Sequence, residues 1–535
     1  MNLISVQFFL FVAVTAAIYF LCSRRKYQWC VLLAASYFYY IFTCNRYVIY
    51  LLVTTITTYA GARGIDHLAA VSTQTVKAHK GEWDKETKKA YKNQMQSKKR
   101  WLMIAVLVLN FGILSVLKYT GFVEESLNSA LNALGIGFRL PLPKLVLPLG
   151  ISFYTFQSMG YLIDVYRGKF PAEKNLGKVA LFVSFFPQIV QGPIAFYSDL
   201  AHQLYENHRF SYEKCKRGVL LIFWGAFQKM VVADRAVHMI DLVTANDRGF
   251  HGTYILMAAL MYALQLYADF AGGINVCRGV AEVFGITMAE NFRRPYFSKT
   301  LTEYWHRWHI TLGEWVRTYL FYPMSISKRF LKMGKDLKSH GMRHLGRVLP
   351  TSIASLLTFL VIGIWHGAAW KYVAFGLWNG GVIMVSAIAE PWTTALTKKL
   401  HIRKEAVWYQ LFVMARTFVL VLVGYYFDIA AGFKAAMRMM WRSVTDLHLA
   451  DLRNFSCLAD SGLVRTDYLM IIAGALVILI VSVLQERSGR QLRDVLEEKS
   501  LWIQWSVYLL LIFAVLIFGA YGPGSNPADF VYMQF

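Results

Sequence analysis

The sequence predicts an all-α polytopic membrane protein, and three observations carry that prediction. Of 535 residues, 56% are hydrophobic and only 16% charged, where a soluble chain carries about a quarter charged. Apolar runs of roughly 18–20 residues recur along the chain, each long enough to cross a ~30 Å hydrocarbon layer. The Lys and Arg behind the formal charge of +24 gather between those runs, as the positive-inside bias requires. Topology thus accounts for the charge, and a nucleic-acid partner is not expected. The six cysteines, Cys22, Cys30, Cys44, Cys215, Cys277 and Cys457, form no CxxC pair and show no ligand spacing. Neither a disulfide framework nor a metal site is expected from them.

The first apolar run, Leu3–Cys22, has no positive charge before it and Arg24-Arg25-Lys26 after it. A secretory signal carries its charge first, so this reads as an uncleaved span with its N-terminus outside. Trp29–Thr43 and Tyr47–Gly61 are the next spans, joined by a turn at Cys44-Asn45-Arg46. The basic segment Arg63–Arg100 reads as a solvated cytoplasmic helix or loop. Trp101–Lys118 crosses outward, Phe122–Phe138 is amphipathic, Leu140-Pro141-Leu142-Pro143 punctuates, and Leu145–Val165 crosses back.

Val179–Ala195 contains two prolines and two glutamines in Phe185-Phe186-Pro187-Gln188-Ile189-Val190-Gln191-Gly192-Pro193. Broken backbone at membrane depth survives only where protein or water satisfies it. Lys178 precedes this stretch and Arg209, Lys214, Lys216 and Arg217 follow it. It is therefore expected to be re-entrant from the cytoplasmic face. Val219–Ala233 and Tyr254–Phe270 are spans, and a cytoplasmic block runs from about Val276 to Arg347. Pro350–Trp370, Tyr372–Ala389, Trp408–Phe427, Tyr468–Leu484 and Leu501–Ala520 complete the set. Lys398, Lys399, Arg403, Lys404, Arg487, Arg490 and Arg493 fall inside, and the loop Asp428–Asp467 falls outside. The result is about twelve crossings with both termini outside.

Chemistry is expected around Thr302–Pro323, which packs three Trp, two His and two Arg. Such groups at membrane depth are costly and face a protein interior or a watery cavity. Glu303 and Arg307 share an i,i+4 face. His309 is either a base, acid or electrostatic stabiliser, or a histidine bonded to a carbonyl at a helix end; His306 reads as a surface or groove residue. His366 closes the aliphatic run Leu356–Ile364 and precedes Gly367-Ala368-Ala369, where another backbone or a ligand can come close. No His-x-x-x-His or His-Cys pair accompanies it, so metal ligation is not expected. Asp269, in Tyr267-Ala268-Asp269-Phe270-Ala271-Gly272-Gly273, either lines a cavity or caps the following turn. Glu290-Asn291-Phe292-Arg293-Arg294-Pro295-Tyr296 reads as a polar turn that positions the central stretch. Gln157, Gln188 and Gln191 suit either a narrow path or bonds between helices. The sequence holds no GxSxG elbow, Walker lysine motif or Rossmann fingerprint, which argues against triphosphate hydrolysis and a serine-hydrolase triad.

Several blocks resemble, in order, the bacterial membrane-bound O-acyltransferases of the alginate O-acetyltransferase type. They are LPLGISFYTFQSMGYLIDVYRG (Leu147–Gly168), FVSFFPQIVQGPI (Phe182–Ile194), YADFAGG…VFGI (Tyr267–Ile286), ENFRRPYFSKTLTEYWHRWHITLGEWVRTYL (Glu290–Leu320), IGIWHGAAW (Ile362–Trp370) and FVYMQF (Phe530–Phe535). The resemblance implies a helical bundle with re-entrant segments and a central tunnel in a bacterial cytoplasmic membrane. Spans fill 1–120, with the basic cytoplasmic segment 62–100; the catalytic core fills 121–390, and further spans fill 391–535. It implies His366 as the catalytic histidine and His309 as the second active-site residue. Trp305, Trp308, Arg317, Trp365, Asp269, Asn291, Gln188 and Gln191 are expected along the substrate path, with no metal. The donor implied is cytoplasmic acetyl-CoA, with no bound cofactor, and Arg293, Arg294, Lys299, Lys328 and Arg329 suit its phosphates. The partners implied are an extracytoplasmic acetyltransferase or esterase-like protein of a polysaccharide O-acetylation system, and membrane lipid. Asn275, Thr318 and Asn379 depart from the family pattern and leave the acceptor open. D-alanyl transfer to a cell-wall polymer is the nearest alternative. A transporter, or a non-catalytic scaffold of an export complex, stands outside the enzyme class.

Overall fold

The computed structural model describes residues 1–22, 25–141, 145–453 and 462–521. Arg24, Leu142-Pro143, Cys457 and the FVYMQF ending lie outside the described residues. Those described are mainly helical, and their extended pairing is confined to one antiparallel bridge between Phe292 and Trp308. Among the described residues, eight helical segments are long and apolar enough to cross a membrane; one of them, Arg25–Ala78, holds the two helices Gln28–Cys44 and Val48–Ala78. The first helix, Val6–Leu21, is apolar but shorter. Large side chains such as Trp502, Leu510 and Ile517 stand outward on the last span. Exposing them to water would cost roughly 25 cal/mol per Å²; facing lipid they carry no such cost. The chain is a multi-pass membrane protein.

Two compact units divide the chain, Met1–Val219 with Cys277–Ala289, and Leu220–Val276 with Glu290–Phe535. In the first, the basic segment is neither loop nor separate helix. Val48–Ala78 runs on past the expected end of its span. After a short turn, Asp84 accepts from the Thr87 N–H at 2.9 Å and caps Lys85–Ala133. At 1.5 Å per residue those 49 residues span roughly 73 Å. The expected crossing Trp101–Lys118 and most of the amphipathic run after it are thus one helix. Lys, Gln and Glu favour helix as much as Leu does, so the change from charged to apolar sequence ends nothing. Ile151–Arg167 starts later than expected, and the stretch Val179–Ala195 is broken as expected. It forms Leu176–Ser184, then a single turn Phe186–Ile189, then non-helical backbone. Gln188 stitches the break, donating to Gln157 Oε1 and to the Pro193 carbonyl, both at 2.7 Å.

Gly252–Val283 is one helix of 32 residues, of which residues 252–276 belong to the second unit, so no turn follows Asp269. The reason is a close helix crossing. A Cβ on Gly225 would lie 2.4 Å from the Gly272 carbonyl oxygen, and one on Gly272 would lie 2.8 Å from that of Gly225. Glycines that read as a turn signal instead let two backbones touch. Beyond the crossing, Phe227–Ala233 widens into a π-helix, a form common at functional sites. Arg343–His366 and Trp370–Lys399 pack as an antiparallel hairpin, again on glycine. A Cβ on Gly363 would come 2.3 Å from the Tyr372 carbonyl oxygen. That contact sits one turn before His366 and fixes the helix end that carries it.

Candidate active site

The central stretch breaks at the residue that matters. Leu301–Arg307, capped by Thr300, stops at Trp308, and Ile310–Val316 restarts after His309. His309 has φ 45°, in the left-handed region that a side chain adopts at a cost of order 1–3 kcal/mol and that marks functional sites. The segment before it holds it there. The Arg293 N–H donates to the Arg307 carbonyl at 2.9 Å, and the Ile310 N–H donates to that of Asn291 at 3.0 Å. The expected polar turn thus becomes a short ladder against the central stretch. Beneath it Arg307 pairs with Glu303 at 2.7 Å and, together with Arg294, with Glu486 at 3.0 and 2.5 Å.

The His309 side chain is buried, edge-on to Phe270 with ring centroids 4.9 Å apart. Its Nδ1 lies 3.2 Å from Asn291 Oδ1, which also accepts from the Thr311 N–H at 3.0 Å and hydroxyl at 2.9 Å. A backbone N–H only donates, so the Asn291 atom facing it is the oxygen. That oxygen in turn demands a proton on His309 Nδ1. In the neutral ring, Nε2 therefore keeps its lone pair.

His309 reaches His366 through Trp365: ring centroids are 6.2 Å apart for the first step and 5.3 Å for the second. His366 also packs on Phe375 at 5.1 Å. It opens on a cavity of about 20 Å³ shared with Tyr304, Trp305, Trp308, Asn379 and Asp428, room for one or two waters. Trp305 donates its indole N–H to Asn379 Oδ1 at 3.0 Å, and Tyr304 and Tyr425 pair their hydroxyls at 2.7 Å. Trp308 is buried, stacked on Tyr304 with centroids 5.7 Å apart.

The structure brings together His309, Asn291, Trp365, His366, Trp305 and Trp308, and places the other expected residues differently. Arg317 is well exposed, 3.8 Å from Glu314. Gln188 and Gln191 belong to the first unit. Asp269 does not cap a turn. It lies 2.5 Å from Lys229 Nζ, which is also 2.7 Å from Asp234, all three at most 3% exposed. His306 is exposed, as expected. Sequence reasoning missed Tyr304, Tyr425, Phe375 and Asp428 on the cavity wall, and it missed Lys229. An ionisable residue inside Val219–Ala233 was a usable signal; tyrosines within apolar runs were not.

On the expected cytoplasmic side, Arg294 is spent on Glu486, whereas Lys299, Lys328 and Arg329 are exposed. The arrangement offers two imidazoles, one with a fixed lone pair, an aromatic wall and little water. Those are the requirements of proton abstraction from a hydroxyl beside an electrophilic carbonyl.

The model of the membrane-bound O-acyltransferase family matches residues 172–335, which include His309. The chain is 30% identical to a probable alginate O-acetylase, AlgI, of Pseudomonas syringae pv. tomato, over 84% of this chain and 77% of that protein. It is 29% identical to a peptidoglycan O-acetyltransferase of Helicobacter pylori, over 56% and 57% of the two chains. It is 27% identical to a teichoic acid D-alanyltransferase of Bacillus subtilis, over 54% and 69%. Similarity at this level across so much of the sequence means that the chain belongs to the membrane-bound O-acyltransferase family and is a membrane O-acyltransferase.

Proposed function

We propose that the protein transfers an acetyl group from a cytoplasmic thioester, acetyl-CoA, for O-acetylation of an exported polysaccharide in a bacterial cytoplasmic membrane. The acceptor hydroxyl belongs to the polymer or to an extracytoplasmic acetyltransferase or esterase-like partner that completes the transfer. The observation that carries this reading is the placement of His366 on the cavity wall beside Trp305 and Trp308, one indole away from His309. Acetyl rather than D-alanyl is favoured by the length of the match to the alginate O-acetylases.

In the proposed step, neutral His366 takes the proton of the acceptor hydroxyl. The hydroxyl oxygen attacks the thioester carbonyl, the C–S bond breaks, and the proton passes from imidazolium to the departing thiolate. His309 presents an acceptor at Nε2 and so orients the hydroxyl rather than polarising the carbonyl. The carbonyl then needs an N–H donor. Trp305 has given its own to Asn379, and the indole of Trp308, on the same cavity wall, is the proposed donor. Entry of the acyl group requires this cavity to widen, since its present volume suits water.

Replacing His366 with Ala removes the base. Membranes containing H366A are expected to lose acetyl transfer from labelled acetyl-CoA by on the order of 10²–10⁴-fold, with the protein inserted in normal amount. Retained transfer would end the assignment. Transfer from a D-alanyl-loaded carrier, but not from acetyl-CoA, would move the reading to D-alanylation.

A further inference from the structure

Away from the site, two loops of the second unit meet and bring together residues that no spacing motif announces. His251 immediately precedes the helix Gly252–Val283, and His448 and Asp451 follow the helix Phe433–Thr445. The imidazoles of His251 and His448 lie near-parallel, ring centroids 4.2 Å apart. His251 Nδ1 is 2.9 Å from Asp451 Oδ2. One ligand atom from each of the three residues lies within 4.8 Å of the other two.

The backbone beneath them is tied down. The Gly252 N–H donates to the Asp446 carbonyl at 2.9 Å. The Thr253 hydroxyl accepts from the His448 N–H at 2.8 Å and donates to the His448 carbonyl at 3.2 Å. Arg442 grips the Asp446 carboxylate through Nε at 3.1 Å and an Nη at 2.6 Å. Arg442 thus holds Asp446 Oδ2, while Asp446 Oδ1 lies 3.3 Å from His448 Nδ1 and orients that ring; Asp451 is the carboxylate that meets His251. His448 Nδ1 faces the Asp446 carbonyl oxygen at 3.3 Å. A proton on that nitrogen leaves Nε2 with its lone pair, the outer hydrogen bond that commonly orients a histidine ligand.

We propose that His251, His448 and Asp451 form a divalent metal site of the zinc type, with a fourth position open to water. One nitrogen of each stacked imidazole and one carboxylate oxygen lie within 4.8 Å of one another, and a bound cation takes the place of the proton that His251 Nδ1 shares with Asp451. Tetrahedral zinc takes imidazole nitrogen and carboxylate oxygen at about 2.0–2.2 Å. Both histidine side chains are half exposed, at 50% and 53%, so small χ rotations bring the donors to that distance. Imidazole favours zinc, copper or nickel over calcium and magnesium. The bound ion staples the loop after Thr445 to the start of Gly252–Val283. His251 and Asp451 stand 200 positions apart in sequence, so the expectation of no metal, drawn from local spacing, does not reach them.

The test uses the full-length protein, purified in detergent, stripped with chelator and titrated with ZnCl₂ against a competing indicator, with MgCl₂ as control. One tight equivalent of zinc and a zinc-dependent rise in melting temperature are expected. The H251Q and H448Q variants should each weaken zinc binding at least about 100-fold and abolish the rise, while remaining monodisperse in size-exclusion chromatography. H401A, an exposed histidine outside the cluster, should bind as the wild type does. Absence of tight zinc uptake by the wild type, or equal affinity in wild type and the H251Q/H448Q double variant, overturns the site. Loss of binding in H401A overturns it equally. If H448Q does not fold, the readout passes to D451N, which keeps the side-chain shape and should weaken zinc binding by a similar factor.

Discussion

Asn291 decides what His309 can do. Its carbonyl oxygen accepts three hydrogen bonds, one from a backbone N–H that cannot reverse its role. The side-chain amide thus fixes a tautomer, and the tautomer gives His309 a lone pair at Nε2. Replacing Asn291 with Asp keeps all three acceptor contacts but sets a negative charge beside the imidazole. An adjacent carboxylate favours the protonated ring, so a higher pH is then needed to reach the neutral, accepting form. The acid limb of the pH–rate profile of N291D should move upward, with expression and melting temperature near wild type. An unmoved profile would show that His309 does not act through its neutral form. The sequence made both histidines legible, because imidazoles among aromatics in an apolar chain need a partner or a purpose. It did not reveal the Asn291–His309 relation, which exists only once residues 291–293 lie against 307–310. Lys229 was within reach and was passed over, since its carboxylate partners Asp234 and Asp269 become neighbours only through helix packing.

At the scale of elements, polar and proline-rich breaks were legible and long continuities were not. The interruption at Phe185–Pro193 follows from prolines and glutamines that an ordinary span does not tolerate, and the structure breaks there. Hydropathy changes along the 49-residue helix and suggests separate pieces, although helix propensity does not change. A turn after Asp269 was one of two readings of Tyr267–Gly273, whereas Gly272 and Gly225 form a backbone contact between two helices. A glycine pair in an apolar run has both meanings, and only the partner helix separates them. The G225A variant tests the contact: its Cβ would meet the Gly272 carbonyl oxygen at 2.4 Å, so the helices must part. Overpacking of this kind costs about 1–3 kcal/mol. G225A should melt earlier in detergent, and acyl transfer should fall with it, because Phe270, edge-on to His309, lies within one turn of the crossing. A melting temperature equal to wild type would mean that the backbones do not touch.

Over the whole molecule, the charge bias and the packing of the second unit make separate statements about sidedness, and they agree. Residues expected inside are joined to one another: Arg294 and Arg307 to Glu486, and Glu290 to Gln491. Residues expected outside are joined likewise. Arg438 meets Asp247, Thr253 meets His448, and Lys371 donates to the carbonyls of Asp428 and Ala430. A misplaced span would bring an inside loop against an outside one, and these pairs contain no such mixture. His366 lies five residues before Lys371, so it belongs to the outer half of its helix, while His309 follows the network expected inside. The proposed transfer accordingly runs from the Glu486 end of the unit toward the Asp428 end. Single cysteines in a cysteine-free background test this order in whole cells. T445C, on an exposed outer position, should react with a membrane-impermeant maleimide, and S488C, exposed at the inner end of Arg465–Ser488, should react only after the membrane is opened. Labelling of S488C in intact cells would invert the unit, place the cavity beside His366 on the donor side, and require the thioester to enter where the acceptor is now drawn.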